Sequence, residues 1–476
     1  MLRALPIALA AVLPQAADAR TAPMTTIPDA AVKTAVTLRD DAGRDDTAYE
    51  LLRSLTSEIG ARLAGSENDL RAREWAVARF KALGYDKVWT EPVTYPRWVR
   101  RSESAALVAP YRHTLAVTAL GNSPATPREG LTAEVALFDS LDALKAAPAE
   151  AVKDKIVFVS VRMKAHRDGH DYGKGSRVRS RGPALAAEKG AAGFVLRSAG
   201  TDSNRFPHTG VTTWDAKGRQ IPAAAISNPD ADLLETVIRQ GQPVQLSLNL
   251  DCGLDGEYTG ANVIAEITGS QKPEEIIILG GHLDSWDLGT GAIDDGAGVA
   301  ISMAAGALIG QLPQAPRRTV RVVAFANEEA GLYGGKAYFA AHQAELSRHV
   351  LGSEADFGGD RIWKLDASVK PEALAAVDQM MQVLGPLGVI RGDERAHGGP
   401  DLSPMHAAGM AAMNLVQDGT RYFDLHHTAN DTFDKIDPAQ LAQNVAVYAA
   451  WAYMAAEADG DFGSRAGAFK NGVEEH

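Results

Sequence analysis

Cysteine is nearly absent: Cys252 stands alone among 476 residues, so no intrachain disulfide can form. It closes an alternating run, Val244 to Leu250, that reads as a strand, and no histidine lies within thirty residues of it except His282 at that limit. A nucleophilic thiol needs a basic partner, so Cys252 reads as a buried, inert thiol. Positive charge is also scarce. Sixty Asp and Glu face 48 Lys and Arg, a formal net charge of −12. That disfavours nucleic acid and anionic membrane as partners, because both select basic patches. Past the N-terminus no apolar run of about 18 residues stands out as a membrane span. There is no internal repeat and no low-complexity tract.

What is present begins with an export signal over residues 1–19: Arg3, an apolar run from Leu5 to Leu13, and Ala17-Asp18-Ala19 as the cleavage site. The mature chain is therefore expected in a periplasm or outside the cell. The apolar fraction of 45% marks a globular protein, and the length implies two domains or one large interrupted one. Residues 20–45 read as a loosely held arm. Helices are expected over Asp46–Ile59 and Ser66–Leu83, then a strand over Lys87–Tyr95 ended by Pro96. Short strand-like runs dominate from 105 to 255, among them Lys155–Val161 and Gly193–Leu196, with helices at Pro183–Lys189 and Asp230–Arg239. His166, His170 and Asp171 in a glycine-rich loop there offer a metal site or, the preferred reading, a solvated loop, and this block is expected to carry no chemistry. From Asn262 the pattern turns α/β, with strands ending at Glu266 or Ile267, Leu279 and Ala326, and a later one over Ala411–Val416. Helices fill Gly296–Gly310, Ala330–His342 and Pro438–Glu457. The expected division is a domain in two parts, 20–104 and 256–462, around an insertion at 105–255, with a tail at 463–476.

Chemistry concentrates after two of these strands. Glu275–Leu279 runs into Gly280-Gly281-His282-Leu283-Asp284-Ser285-Trp286, and Asp294-Asp295-Gly296-Ala297-Gly298 begins twelve residues after the histidine. Arg321–Ala326 runs into Asn327-Glu328-Glu329. Open α/β sheets keep reactive groups at the carboxyl ends of their strands, and His-x-Asp with Glu-Glu suggests a metal site there. His282 and Asp284, two apart, face the same way on an extended end, so Asp284 can accept the other ring N–H of a metal-bound imidazole. Asp294, opening a turn, can bridge two ions. Glu328 and Glu329, being adjacent, point apart: one can bind metal while the other holds a proton. Asp356 and the pair His426-His427 complete the candidates. Each feature alone is weak; their order and context are specific.

On these motifs, with Glu354-Ala355-Asp356 and His426-His427-Thr428-Ala429-Asn430-Asp431-Thr432, the chain resembles the co-catalytic zinc peptidases of family M28, most of all their carboxypeptidase Q branch. The resemblance covers nearly the whole mature chain, including Gly60–Ser66 and Glu91-Pro92-Val93. The insertion resembles a protease-associated domain at Lys155-Ile156-Val157 and Gly190–Gly193. The implied fold is a three-layer α/β zinc-exopeptidase sandwich with a mixed central sheet, interrupted by that β-rich domain. Two Zn²⁺ per chain are implied, one on His282 and Asp356, the other on Glu329 and His427, bridged by Asp294. Glu328 would be the general base and Asp284 the orienting carboxylate. His427 is preferred to His426 because the family ligand directly precedes Thr-x-x-Asp-Thr. Relatives of the prostate-membrane type carry an oxyanion-contacting tyrosine where this chain has His426, which either donates in that place or packs. His397–Asp401 reads as a substrate-side loop with Asp401 anchoring a substrate amine, or as plain surface. The implied activity is hydrolysis of terminal peptide bonds in dipeptides or short peptides by a homodimer. The alternative is an aminopeptidase acting on longer peptides. A non-catalytic receptor-like protein and a single-zinc glutaminyl cyclase are the other classes, and the full set of five ligand positions argues against both.

Overall fold

The computed structural model describes residues 24–463; the expected export signal and residues 464–476 of the tail lie outside the described residues. The first departure from expectation is α1 (Asp29–Ala42), which occupies much of the supposed loose arm. Its buried stripe is Ala31, Ala35, Leu38 and Ala42, at helical spacing but with side chains so small that the apolar signal in the sequence is faint. It lies on the last helix of the chain. Then α2 (Thr47–Ser54) continues in a wider turn to Ile59, and α3 (Glu67–Ala82) is capped by Ser66, whose hydroxyl accepts from Asp69 N.

β1 (Lys87–Ala109) does not stop at Pro96. The proline lies at a register shift between Pro96 and Trp98, where a missing N–H is tolerated. The inserted unit follows: β2 (His113–Leu115), β3 (Val117–Ala119), β4 (Leu131–Phe138), α4 (Leu141–Ala146), β5 (Ile156–Val159), α5 (Tyr172–Glu188), β6 (Gly193–Arg197), β7 (Ala223–Ile226) and α6 (Asn228–Arg239). β4, β5, β6 and β7 are parallel neighbours, with β3 antiparallel on β7. Alternation along β5 sends Phe158 to the α6 side and Val157 and Val159 to the α4–α5 side. α5 is far longer than the expected Pro183–Lys189, with Pro183 inside it. Gly182 before it lets the helix lie on Phe194, whose ring would be 2.5 Å from a Cβ there.

β8 (Gln245–Ile267) returns to the first unit and pairs antiparallel with β1 along nearly its whole length. It starts against β4 and ends against a strand of the larger sheet, so one two-stranded ribbon joins the units. The rest of the chain is β9 (Lys272–His282), α7 (Ala297–Gly310), β10 (Arg318–Phe325), α8 (Tyr333–His342), β11 (His349–Glu354), β12 (Ile362–Ser368), α9 (Leu374–Leu384), β13 (Ile390–Arg391), α10 (Ser403–Ala408), β14 (Ala412–Gln417), α11 (Tyr422–Leu425) and α12 (Pro438–Glu457). Strand order is β13-β12-β14-β11-β9-β10-β8. The sheet is mixed: β14, β11, β9 and β10 are parallel, whereas β8 and β12 run against their neighbours. Ile277, Leu279 and Val322 pack under α1, α7 and α12; Ile276, Ile278 and Val323 pack under Tyr338 of α8 and Met405 of α10. This is the expected three-layer α/β sandwich with a mixed central sheet.

The expectation that no apolar run is long enough to cross a membrane needs correction. The helical stretch Ala292–Gly310 meets that measure, with mean hydropathy 1.4, but 94% of the run is buried inside the protein. Helices apolar on all sides are also those that a large core encloses, and α7 packs against the sheet, α2 and α12.

Candidate metal centre

Four parallel strands, β9, β10, β11 and β14, bring their carboxyl ends to one side of the sheet, where open α/β folds place their sites. β9 ends in His282. Its Nδ1–H donates to the backbone oxygen of Asp284 at 3.0 Å, leaving Nε2 3.1 Å from Asp294 Oδ1 and 3.5 Å from Asp356 Oδ1. On the opposite side, His427 Nε2 lies 3.1 Å from Asp294 Oδ2 and 3.0 Å from Glu329 Oε2. Asp294 therefore stands between two imidazoles and turns one oxygen to each. Glu329 Oε2 also accepts from Trp286 Nε1 at 2.6 Å.

Other side chains hold this geometry. Asp431 accepts from Ile293 N at 2.6 Å and Asp294 N at 3.2 Å. Asp295 accepts from His282 N and Gly298 N, both at 3.0 Å. Arg62, fully buried, donates to Leu283 O, Thr290 O and Gly291 O at 2.7–2.8 Å. Asp295, Asp431 and Arg62 sat inside the quoted motifs without assigned roles; their neighbours in those motifs were the available signal. Asp284 differs from its expected contact. Its carboxylate accepts from Glu328 N at 3.0 Å and Glu329 N at 3.3 Å, with Oδ1 3.6 Å from His282 Nδ1. The chain bends after β9, so the backbone carbonyl reaches the ring first and the carboxylate fixes the Glu328-Glu329 turn instead.

The two glutamates do point apart. Glu329 meets His427, whereas Glu328, half-buried, lines a cavity of about 380 Å³ together with Asp294, Asp356, Tyr172, Tyr422 and His426. Burial and the nearby charges of Asp356, Glu329 and Asp401 push Glu328 well above the usual carboxylate range. Burial would also raise Asp294, but the two imidazoles outweigh it and hold that carboxylate well below its ordinary value. Burial alone would lower His282 and His427; the carboxylates against them keep both well above the ordinary imidazole value. His426 goes the other way, pushed well down by burial and by His427.

Six carboxylates (Asp284, Asp294, Asp295, Glu328, Glu329, Asp356) thus crowd around two imidazoles and Arg62. Asp294 Oδ2 and Glu329 Oε1 are buried with no hydrogen-bond donor. Buried anionic oxygens without donors call for cations, and mixed imidazole and carboxylate donors suit zinc. The atoms are close enough: donor atoms of His282, Asp294 and Glu329, and of His282, Asp295 and Asp356, lie within 4.8 Å of one another. The residues therefore fit a metal centre.

The inserted unit, expected to carry no chemistry, reaches this centre. Thr209 O accepts from His427 Nδ1 at 3.1 Å, and Tyr172, Arg179 and Val211 form one wall of the cavity. The reason is topological: the β1–β8 ribbon carries the insertion over the strand ends. His426, 2% exposed, stacks on His427 at 4.2 Å and on Tyr422 at 4.8 Å, and neither ring nitrogen has a partner. Asp401 lies away from the cavity wall. It is 1% exposed, accepts from Gly335 N and donates its own N–H to Glu354 Oε2, both at 2.8 Å, and burial pushes it up to about 8. His166, His170 and Asp171 do converge within 4.8 Å, but Asp171 is taken by Lys174 at 2.6 Å and His170, exposed, by Asp168 at 2.7 Å. Cys252 is buried and its thiol is pushed up to about 11, as an inert thiol should be.

The fold is that of a metallo-exopeptidase. Residues 262–452 match peptidase family M28. Carboxypeptidase Q of Homo sapiens is 34% identical over 411 residues, covering 86% of this chain and 85% of that protein. The solved Peptidase M28 precursor from Shewanella amazonensis SB2B is 49% identical, with a TM-score of 0.89 over 91% of this chain and 98% of that one. The aminopeptidase from Aneurinibacillus sp. strain AM-1 shares the fold at 22% identity, with a TM-score of 0.62 over 90% and 97%. The chain belongs to the M28 peptidase family.

Proposed function

We propose that the protein hydrolyses terminal peptide bonds of dipeptides or short peptides with two Zn²⁺ per chain, His282 and Asp356 holding one, Glu329 and His427 the other, and Asp294 both. The observation that carries this reading is Asp294, with one carboxylate oxygen 3.1 Å from each histidine. When bound, the ions would polarise the scissile carbonyl and make water more acidic. Glu328, facing the cavity and with its proton affinity raised by burial, would take the proton of the attacking water and deliver it to the departing amine. Asp284 would keep Glu328 and Glu329 in register through their backbone N–H groups. His426, a neutral ring with free nitrogens on the same wall, would donate toward the oxyanion. The walls contributed by Tyr172 and Val211 favour small substrates, and residues 105–255 are read as the inserted domain that supplies them. Export after residue 19 and a homodimer belong to the same reading; N-terminal sequencing and sedimentation test them.

The aminopeptidase reading keeps the same centre, and it is favoured by the fold shared with the Aneurinibacillus aminopeptidase. A zinc-loaded panel of dipeptides and longer peptides, each with either terminus blocked, separates the two. Hydrolysis confined to dipeptides and short peptides, with two zinc per chain, is expected. Efficient removal of N-terminal residues from long peptides would select the aminopeptidase, and a protein that binds no zinc would end both readings.

A further inference from the structure

Arg179 projects from α5 into the wall of the catalytic cavity and is 8% exposed. Its Nη1 lies 3.2 Å from His427 Nδ1 and 3.4 Å from Thr209 O, while its buried Nε has no acceptor. Among the described residues no Asp or Glu pairs with it; of the other buried arginines, Arg318 and Arg321 have a carboxylate partner and Arg62 has four backbone carbonyls. Space has been left for the group: a Cβ on Gly210 would lie 2.4 Å from the guanidinium carbon. Tyr172 stacks near it, at 5.6 Å. A buried guanidinium without an anion is costly, and its planar fork matches a carboxylate. The cavity's own acids cannot serve. Asp294, Glu329 and Asp356 are turned to the histidines, and Glu328 is needed for the proton.

The same inventory argues against recognition of a substrate amine. An ammonium group would need a spare carboxylate, and Asp401, the candidate from the sequence, is buried and off the cavity wall. The cavity thus offers one unpaired cation and no uncommitted acid. We infer that Arg179 receives the free α-carboxylate of the substrate, so that the preferred substrates are short peptides with an unblocked C-terminus. This rests on the exopeptidase reading above and narrows it to the carboxypeptidase or dipeptidase side.

The test pairs binding with kinetics. Zinc-loaded Glu328→Gln protein is titrated calorimetrically with an apolar dipeptide, its C-terminal amide and its N-acetyl form, and the wild type is assayed on the same three. Amidation should weaken binding roughly 10- to 100-fold, the scale of a charge-assisted hydrogen-bonded pair, chiefly in KM. In Arg179→Gln the acid-to-amide ratio should fall toward one with zinc content unchanged, and Arg179→Lys should recover part of it. Equal use of acid and amide by the wild type would overturn the inference, whether or not the variants fold. So would discrimination that survives undiminished in Arg179→Gln. Failure of the zinc-loaded wild type to cleave any of the three would instead overturn the exopeptidase reading.

Discussion

Thr209 and His427 are joined at two points across the boundary between the units: Thr209 N donates to His427 O at 2.9 Å, and His427 Nδ1 donates to Thr209 O at 3.1 Å. With the proton on Nδ1 this carbonyl is its acceptor and Nε2 is left for a metal, and Arg179 Nη1, 3.2 Å from the same nitrogen, is then free to donate elsewhere. Thr209→Pro removes the first donor and strains the second. Zinc affinity should fall about 10- to 100-fold, as with other partners of metal-bound histidines, whereas Thr209→Ser, which keeps the peptide group, should match the wild type. Competition with a chromogenic chelator reads both.

Glu328 lines the cavity and meets neither histidine. Glu328→Gln should therefore lower kcat by about 10²–10⁴-fold, the usual span of general acid–base catalysis, with two zinc still bound by elemental analysis. Retention of full turnover with two metals bound would remove Glu328 from its assigned role.

The paired arrangement around Asp294 makes a stoichiometric prediction. His427→Ala should leave one tightly held zinc, whereas Asp294→Ala should weaken both, because its two oxygens face different histidines. Stripping metal with a chelator should lower Tm by several degrees, since ions held only by the folded state stabilise it through mass action and the buried carboxylates would then repel one another.

Acid sensitivity should come partly from a site away from the metal. His349 is buried beneath α8, where its Nε2 meets the Tyr338 hydroxyl at 2.8 Å; burial and the Arg321 charge push it down to about 3. The unfolded chain protonates this residue near its ordinary 6.5, so its contribution is full above that value and is lost as pH falls toward 3. The loss is at most about 1.4 kcal/mol per pH unit. Urea unfolding of His349→Gln should show a shallower decline between pH 6.5 and 4.5 than the wild type, irrespective of acid release of metal, which both share.

Thiol reagents should leave the native enzyme active. Cys252 Sγ sits 3.5 Å from Ser123 O, buried and poorly ionised, and Cys252→Ala should cost about 1 kcal/mol of stability, the ordinary scale for a small core change, with kcat/KM unchanged.

The strand ends that carry His282 and Glu328 were legible because long β-branched runs stop at polar residues, and α12 was readable over Pro438–Glu457 because a proline follows a capping aspartate and no breaker interrupts it. α1 was not, because alanine at the buried positions gives little contrast with its polar face. The Pro96 reading failed since a bulge hides the missing donor. The metal candidates were legible as side-chain motifs. Thr209 was not, because its peptide group makes the contact and its partner lies 218 residues away; nor was Arg179, whose isolation from acids exists only in three dimensions.

The β1–β8 ribbon sets a limit on dissection of the chain. Residues 262–452 contain every candidate ligand and the candidate base, yet an excised segment would leave the end of β8 without its outer neighbour, since β1 pairs there from Lys87 to Glu91. That exposes a row of unpaired amides and carbonyls of the kind that recruits other chains into aggregates. It would also lose Arg62. The portion with the complete set of reactive groups is thus not expected to remain soluble as a unit, and the smallest autonomous enzyme includes the strand that precedes the insertion.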